Sequence, residues 1–256
     1  MRSAGTVLSV SMGFPMALTE LTTRALVPLI QRGSRIASMG YPDIISPEPV
    51  VRELLGELKF SMLRFRVDSA KICKWHGLEP QNIPDSESFF DLLGAALDVY
   101  DIYPTRGNEI LCDLNYPMPQ KEAYHFVLDV GTAEHCFNIG QALMNMAGLL
   151  REGGYIFHGN PFVSGNHGFY GLNPTLFHDF YSQPGFQLEW VKMKAKGPHP
   201  AIDVPRTKRF QVDSGEIDIF AYAKRTEVRE ITYPMQTKYV VLAAADQPGV
   251  KGVENE

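Results

Sequence analysis

Residues 126–138 read FVLDVGTAEHCFN. Phe126, Val127, Leu128 and Val130 form the apolar end of a buried strand. Among and directly after them stand Asp129, Glu134, His135, Cys136 and Asn138. A strand that favours a dry interior thus ends in groups that need water, an internal partner or a ligand. In an open parallel sheet, ligands bind beyond the carboxyl ends of the strands, so this cluster marks a candidate site.

The flanking sequence supplies the rest of such a sheet. RIASMG (35–40), ALDVYD (96–101), EILCDL (109–114) and YHFVLDV (124–130) read as strands, the first running into the turn Tyr41-Pro42-Asp43. Residues 16–32 and 48–79 carry helical periodicity, the former disturbed by Pro28, and Ser86 or Asp85 is placed to cap a helix over SESFFDLLGAA. Downstream, GQALMNMAGLL (140–150) has helical spacing, and Gly153-Gly154 reads as its left-handed stop. YIFHG (155–159) is the next strand, and PTLFHDFYSQPGF (174–186) is a helix opened by proline. FQLEWVKMKA (186–195) and EIDIFAYAKR (216–225) have no helix between them and are expected to pair antiparallel. Alternating strands and helices predict an α/β chain with a mostly parallel sheet.

Composition narrows the function classes. The 256 residues are 45% hydrophobic and 21% charged, ordinary for a globular chain. Lys+Arg number 24 against Asp+Glu 29, a net charge of -5 with no basic block, which argues against a nucleic-acid partner. No run of about 18 apolar residues is present, so no membrane span is expected. Cys73, Cys112 and Cys136 form no CxxC pair, which favours a reducing, cytoplasmic setting over a disulfide framework or structural zinc. The stretch TVLSVSMGFPMAL (6–18) is expected to belong to the mature chain, because Gly13 and Pro15 break it and Ser9 and Ser11 dilute it.

Three expected strand ends carry acids: Asp101, Asp113 and Asp129. A rim of carboxylates accepts hydrogen bonds from ribose hydroxyls or amino groups. The order of these elements, with DVGTAEH, a helix, GGY and a strand following, resembles a class I S-adenosylmethionine-dependent methyltransferase over roughly residues 34–225. The resemblance implies a Rossmann-like seven-stranded sheet with its last strand inserted antiparallel and helices on both faces. It divides the chain into an N-terminal helical extension (1–33), a methyltransferase-like domain (34–225) with a helical insertion at about 48–94, and a C-terminal tail (226–256), polar after Gly249. It implies S-adenosylmethionine as cofactor, with Asp101 on the ribose and Asp113 and Leu114 on the adenine. Asp129, Gly131 and Thr132 would border cofactor and acceptor. In the stretch SMGYPDI (38–44), Gly40 is the glycine retained from the family's glycine-rich loop and Ser38 stands in place of its acid. Gly40 and Tyr41 would then meet the cofactor, with Asp43 supplying a carboxylate from a shifted position. The insertion, with Cys73, Trp75 and His76, is expected to be helical and to cover the site.

Residues 158–181, HGNPFVSGNHGFYGLNPTLFHDFY, leave the strand beside Asp129 and concentrate imidazole, amide and aromatic groups. Such a lining suits a polar ring compound. Glu134, Asn160, Asn166, Phe169 and Tyr170 are therefore candidate contacts for a small-molecule acceptor, expected to be a sugar-like or phenol-like hydroxyl. His135 and then His167 are the candidate bases, since imidazole titrates near neutrality. No compact motif such as HExxH is present and no metal is expected. The altered SMGYPDI stretch leaves open a second class, a methyltransferase-like subunit that binds without turnover. The absence of GxGxxG argues against a nicotinamide enzyme. Oligomeric state is not legible in the sequence.

Overall fold

The structure, a computed structural model, describes residues 17–195, 199–206, 209–212 and 215–240. In chain order the elements are β1 (Ala17–Leu18), α1 (Glu20–Leu26), β2 (Arg35–Met39), β3 (Asp43–Ile44), α2 (Glu48–Leu55), α3 (Glu57–Ser61), α4 (Ser69–His76) and α5 (Ser86–Leu92). There follow β4 (Ala96–Asp101), β5 (Ile110–Leu111), β6 (Tyr124–Asp129), α6 (Ile139–Leu149), β7 (Leu150–Val163), α7 (Pro174–Phe180), β8 (Phe186–Ala195), β9 (Ile202–Asp203) and β10 (Ile217–Arg225).

One sheet runs in the order β5-β4-β2-β6-β7-β10-β8-β9. The pairs β5/β4, β4/β2, β2/β6 and β6/β7 are parallel. β10 enters between β7 and β8, antiparallel to both. The expected seven-stranded sheet with its last strand reversed is present, and the two-residue β9 adds an eighth strand, antiparallel, on the β8 edge. β1 and β3 form a separate parallel pair.

The strands are buried on both faces, because successive side chains point to opposite sides. Val127 on β6 and Ala37 and Met39 on β2 meet Ala142, Leu143, Met146 and Ala147 of α6, with Phe177 and Phe180 of α7 on the same face. Ile36, Phe126 and Leu128 face the other way, toward Leu26 of α1, Val51 of α2 and Phe89 and Phe90 of α5. Both halves of the core are thus read from alternation in the short strands β2 and β6.

Several boundaries differ from the sequence expectation. The helical run 48–79 is broken by Gly56 (φ 77°) and again between α3 and α4. Strand 109–114 contracts to Ile110–Leu111, since its partner β4 ends at Asp101, whose carbonyl takes the last ladder bond from the Cys112 N–H at 2.9 Å. α6 ends at Leu149 without using Gly153-Gly154 as its stop; Gly153 (φ 74°) lies within β7. β7 itself runs on to Val163, because β10 pairs along it from Lys224 to Ile217. The helix at 174–186 stops at Phe180, and Asp85 is the cap of α5, its side chain accepting the Ser88 N–H at 3.0 Å. Residues 226–240 pack back on the sheet through buried Ile231, and the polar end after Gly249 lies outside the described residues.

Arg225, the last residue of β10, is fully buried. Its guanidinium donates to the carbonyls of Ala147 (3.2 Å) and Leu150 (2.8 Å) at the C-terminus of α6. The Ala147 carbonyl also accepts the Leu150 N–H that closes α6, so the cation adds to that bond and meets the negative end of the helix dipole. Arg225→Ala is expected to lower unfolding stability by about 2–3 kcal/mol, the scale of hydrogen bonds to a charged donor. The measurement is a urea titration, with the midpoint falling and the slope unchanged.

Candidate active site

Because β2, β4, β5 and β6 are parallel, their carboxyl ends share one edge of the sheet. A cavity of about 400 Å³ opens there. Gly40, Asp101, Asp113, Leu114, Gly131, Thr132 and His135 line it, together with Trp75, Tyr100 and Cys112. Gly40 follows β2 at φ 78° and donates its N–H to the Tyr100 carbonyl at 2.7 Å. Gly131 follows β6 at φ 102°, a backbone region that side-chain-bearing residues disfavour. Asp101 accepts the Tyr103 N–H at 3.2 Å, and Asp113 accepts both the backbone (2.9 Å) and side-chain (2.8 Å) N–H of Asn115. Asn115 in turn accepts the N–H of Asn138, the cap of α6, at 2.8 Å. Two strand-end carboxylates are therefore held at fixed positions on one cavity, which favours a ligand rich in hydroxyl or amino donors or bearing positive charge.

Neither thiol of this cavity is a nucleophile at neutral pH. Burial, aided by Asp101 and Asp113, pushes Cys112 up to about 11. Burial beside Asp129 pushes Cys136 up to about 12.

Asp129, expected at the ligand, takes a different place. It is fully buried and absent from the cavity wall. One carboxylate oxygen accepts the N–H groups of Thr132 (3.2 Å) and Ala133 (3.0 Å). The other lies 2.7 Å from His158 Nδ1 and accepts the Asn160 amide at 3.2 Å. His158 Nε2 continues the chain to the Tyr181 hydroxyl at 2.6 Å, also in the interior. Asp129 thus shapes the loop that carries Gly131 and Thr132, and Thr132 Oγ1 ties that loop to the Met39 carbonyl at the end of β2 (2.7 Å).

Tyr41 and Asp43 also turn away from the cavity. The Tyr41 hydroxyl donates to Asp85 (2.9 Å) under the guanidinium of Arg106, and Asp43 pairs with Arg66 (3.1 Å) and His76 (3.4 Å). Both are drawn to the α4–α5 layer because it offers opposite charges and hydrogen-bond partners. Ser38, at the position of the family's acid, is buried and donates to the Gly40 carbonyl at 2.7 Å. The insertion does cover the site, through Trp75 of α4.

A second group of predicted residues converges beside the cavity. Glu134 is fully buried, with Oε2 accepting the Asn160 amide at 2.9 Å. Its Oε1 lies 3.3 Å from His167 Nε2 and 3.9 Å from His135 Nε2. The hydrogen bond that Glu134 accepts from its ring raises His167 above its ordinary value, against the effect of burial. The two imidazole rings stand 5.1 Å apart. The loop carrying His167 is clamped to this segment, since the Phe169 N–H donates to the Glu134 carbonyl (2.8 Å) and the Tyr170 hydroxyl to the Phe137 carbonyl (2.9 Å). A Cβ on Gly168 (φ 65°) would stand 2.8 Å from that Glu134 carbonyl, so glycine is required at this approach. Phe137 and Phe169 form an exposed edge-to-face pair at 5.6 Å. Asn166 is exposed in left-handed backbone and lies outside the cavity wall. His158, Asn115 and Tyr181 were not singled out by the sequence; only His158 carried a signal, as a polar residue inside an apolar strand.

No protein-family model matches the chain. No curated protein matches it. Among solved structures it resembles the 1,6-didemethyltoxoflavin-N1-methyltransferase of Burkholderia thailandensis, with 14% identity and a TM-score of 0.42 over 80% of this chain and 76% of that one. It also resembles a SAM dependent methyltransferase from Archaeoglobus fulgidus, with 15% identity and a TM-score of 0.36 over 80% of this chain and 92% of that one. The antiparallel insertion of the last strand is the one implied by the sequence resemblance. The fold is a Rossmann-like α/β sheet, parallel from β5 to β7 with β10 antiparallel between β7 and β8.

Two outcomes follow from this geometry. Alkylation of Cys112 by iodoacetamide at pH 8 is expected to be slow, with on the order of one thiolate per thousand thiols, and to accelerate as pH rises towards 11. Peptide mass spectrometry reads the rate at each thiol. Asp129→Ala, which leaves His158 and two loop N–H groups without this acceptor and Asn160 with Glu134 alone, is expected to cost about 3–5 kcal/mol in a denaturant titration.

Proposed function

We propose that the protein transfers a methyl group from S-adenosylmethionine to the hydroxyl of a small sugar-like or phenol-like molecule. The observation that carries this reading is the convergence of Asp101, Asp113, Gly40 and Gly131 on one cavity at the carboxyl edge of the sheet.

The residues present fit such a cofactor. Asp101 would accept the ribose hydroxyls, and Asp113 with Leu114 would receive the adenine. Gly40, Gly131 and Thr132, which line the cavity, would border the methionine end. The carboxylates also give the cavity a negative potential suited to a cationic ligand. When bound, the cofactor supplies a methyl group already activated by its sulfonium.

The chain's own contribution is then largely placement of two reactants, which is worth several powers of ten in rate. Trp75 and Leu114 present apolar surface to the cavity, against which the flat base of the cofactor would pack. His135 joins the cavity to the Glu134–His167 cluster, and a hydroxyl that reacts there must lose its proton. That cluster is the end of the site at which we place proton removal. The exposed Phe137–Phe169 pair beside it suits a ring-bearing acceptor.

The binding test is calorimetry with S-adenosylhomocysteine. Saturable heat is expected in the micromolar range, weakened at least tenfold by Asp101→Ala and by Asp113→Ala; no heat from the wild-type protein well above that range would overturn the reading. A second reading, binding without turnover, is favoured by the inward-closed Ser38 and the outward-turned Tyr41 and Asp43. Consumption of methyl donor with a panel of phenols and sugars separates the two.

A further inference from the structure

We propose that Glu134, His135 and His167 form a binding site for one divalent first-row transition metal ion at the acceptor end of the cavity.

The donor atoms of these three residues all lie within 4.8 Å of one another. A tetrahedral ion with bonds of about 2.0–2.2 Å holds its donors roughly 3.3 Å apart. His167 Nε2 already stands 3.3 Å from Glu134 Oε1, and His135 Nε2 stands 3.9 Å from the same oxygen. Closing the remaining gap needs a small rotation of His135, whose side chain is half exposed and has room to turn. Two imidazole nitrogens aimed at one carboxylate oxygen form a chelating set, and only one of them is within hydrogen-bond reach.

The surroundings are built as a ligand's surroundings are. Glu134 is fully buried, and an ionised carboxylate in that position calls for a cation. Asn160 holds its Oε2, which directs Oε1 to the histidines, as a metal's supporting residues orient its ligands. The Gly168 close approach and the Phe169 N–H bond fix His167 against Glu134, so the third ligand does not depend on a loose loop. Glu216 and Asp218 add negative potential at His167. Two nitrogens and one oxygen favour zinc, iron, cobalt or nickel over magnesium or calcium.

Three protein ligands leave coordination positions for solvent or substrate, and His135 lines the cavity. If the methyl-transfer reading holds, on which this last step rests, the acceptor oxygen binds the ion and its O–H pKa falls. The proton passes to solvent. The freed lone pair forms the new bond to the methyl carbon, and the carbon–sulfur electron pair leaves with sulfur.

The test uses untagged full-length protein stripped with a chelator and titrated with cobalt(II) chloride. One equivalent is expected to bind with visible d–d absorption, to be displaced by zinc(II), and to be unaffected by millimolar magnesium. His135→Ala and His167→Ala, checked for folding by circular dichroism, should each weaken cobalt binding at least tenfold. Absence of visible absorption at about 100 μM cobalt, or binding equal in wild type and both variants, would overturn the site. S-adenosylhomocysteine calorimetry on the same samples separates the two ideas. Nucleoside binding without metal binding defeats this inference alone, and metal binding without nucleoside binding leaves the site standing while the methyl-transfer reading falls.

Discussion

The carboxylate of Asp129 is the constraint on which the site depends. It sits at the end of the central strand, with no solvent contact, and accepts four hydrogen bonds from three directions. Two come from the loop just beyond it, and the other two from His158 and Asn160 on the neighbouring strand. A buried charge of this kind is tolerated only when its acceptor capacity is filled. The same bonds hold Gly131 and Thr132 at the cavity and share Asn160 with Glu134. The cavity wall and the Glu134–histidine cluster are thus two outputs of one interior network.

That network also explains what the sequence disclosed. Acids at the ends of three strands were legible as Asp101, Asp113 and Asp129, because each follows or closes a short apolar run. Their separate fates were not. Asp101 and Asp113 face the cavity, while Asp129 is claimed by His158, its partner in the register between β6 and β7. A pairing between residues 29 positions apart leaves no local trace. The same holds for Tyr41 and Asp43, whose directions are set by Asp85, Arg106, Arg66 and His76.

Fold class was more legible than element boundaries for a related reason. The apolar runs of β2 and β6 and the helical spacing in α6 are local properties, and they survive into the structure. The length of β7 is set by β10, some sixty residues later in the chain, and that of β5 by where its partner β4 ends, at Asp101. Convergence of Glu134, His135 and His167 lay between these cases. Two of the three are adjacent, and the third arrives through a glycine whose missing side chain permits the approach.

The insertion of β10 between β7 and β8 carries a consequence for synthesis of the chain. Until residue 225 has emerged from the ribosome, β7 and β8 have no strand to join them, and the end of α6 lacks its cation. A nascent chain in this state presents open strand edges, the surfaces through which unfinished sheets associate with one another. Closure of the sheet therefore waits for residues 217–225, whatever has folded before them.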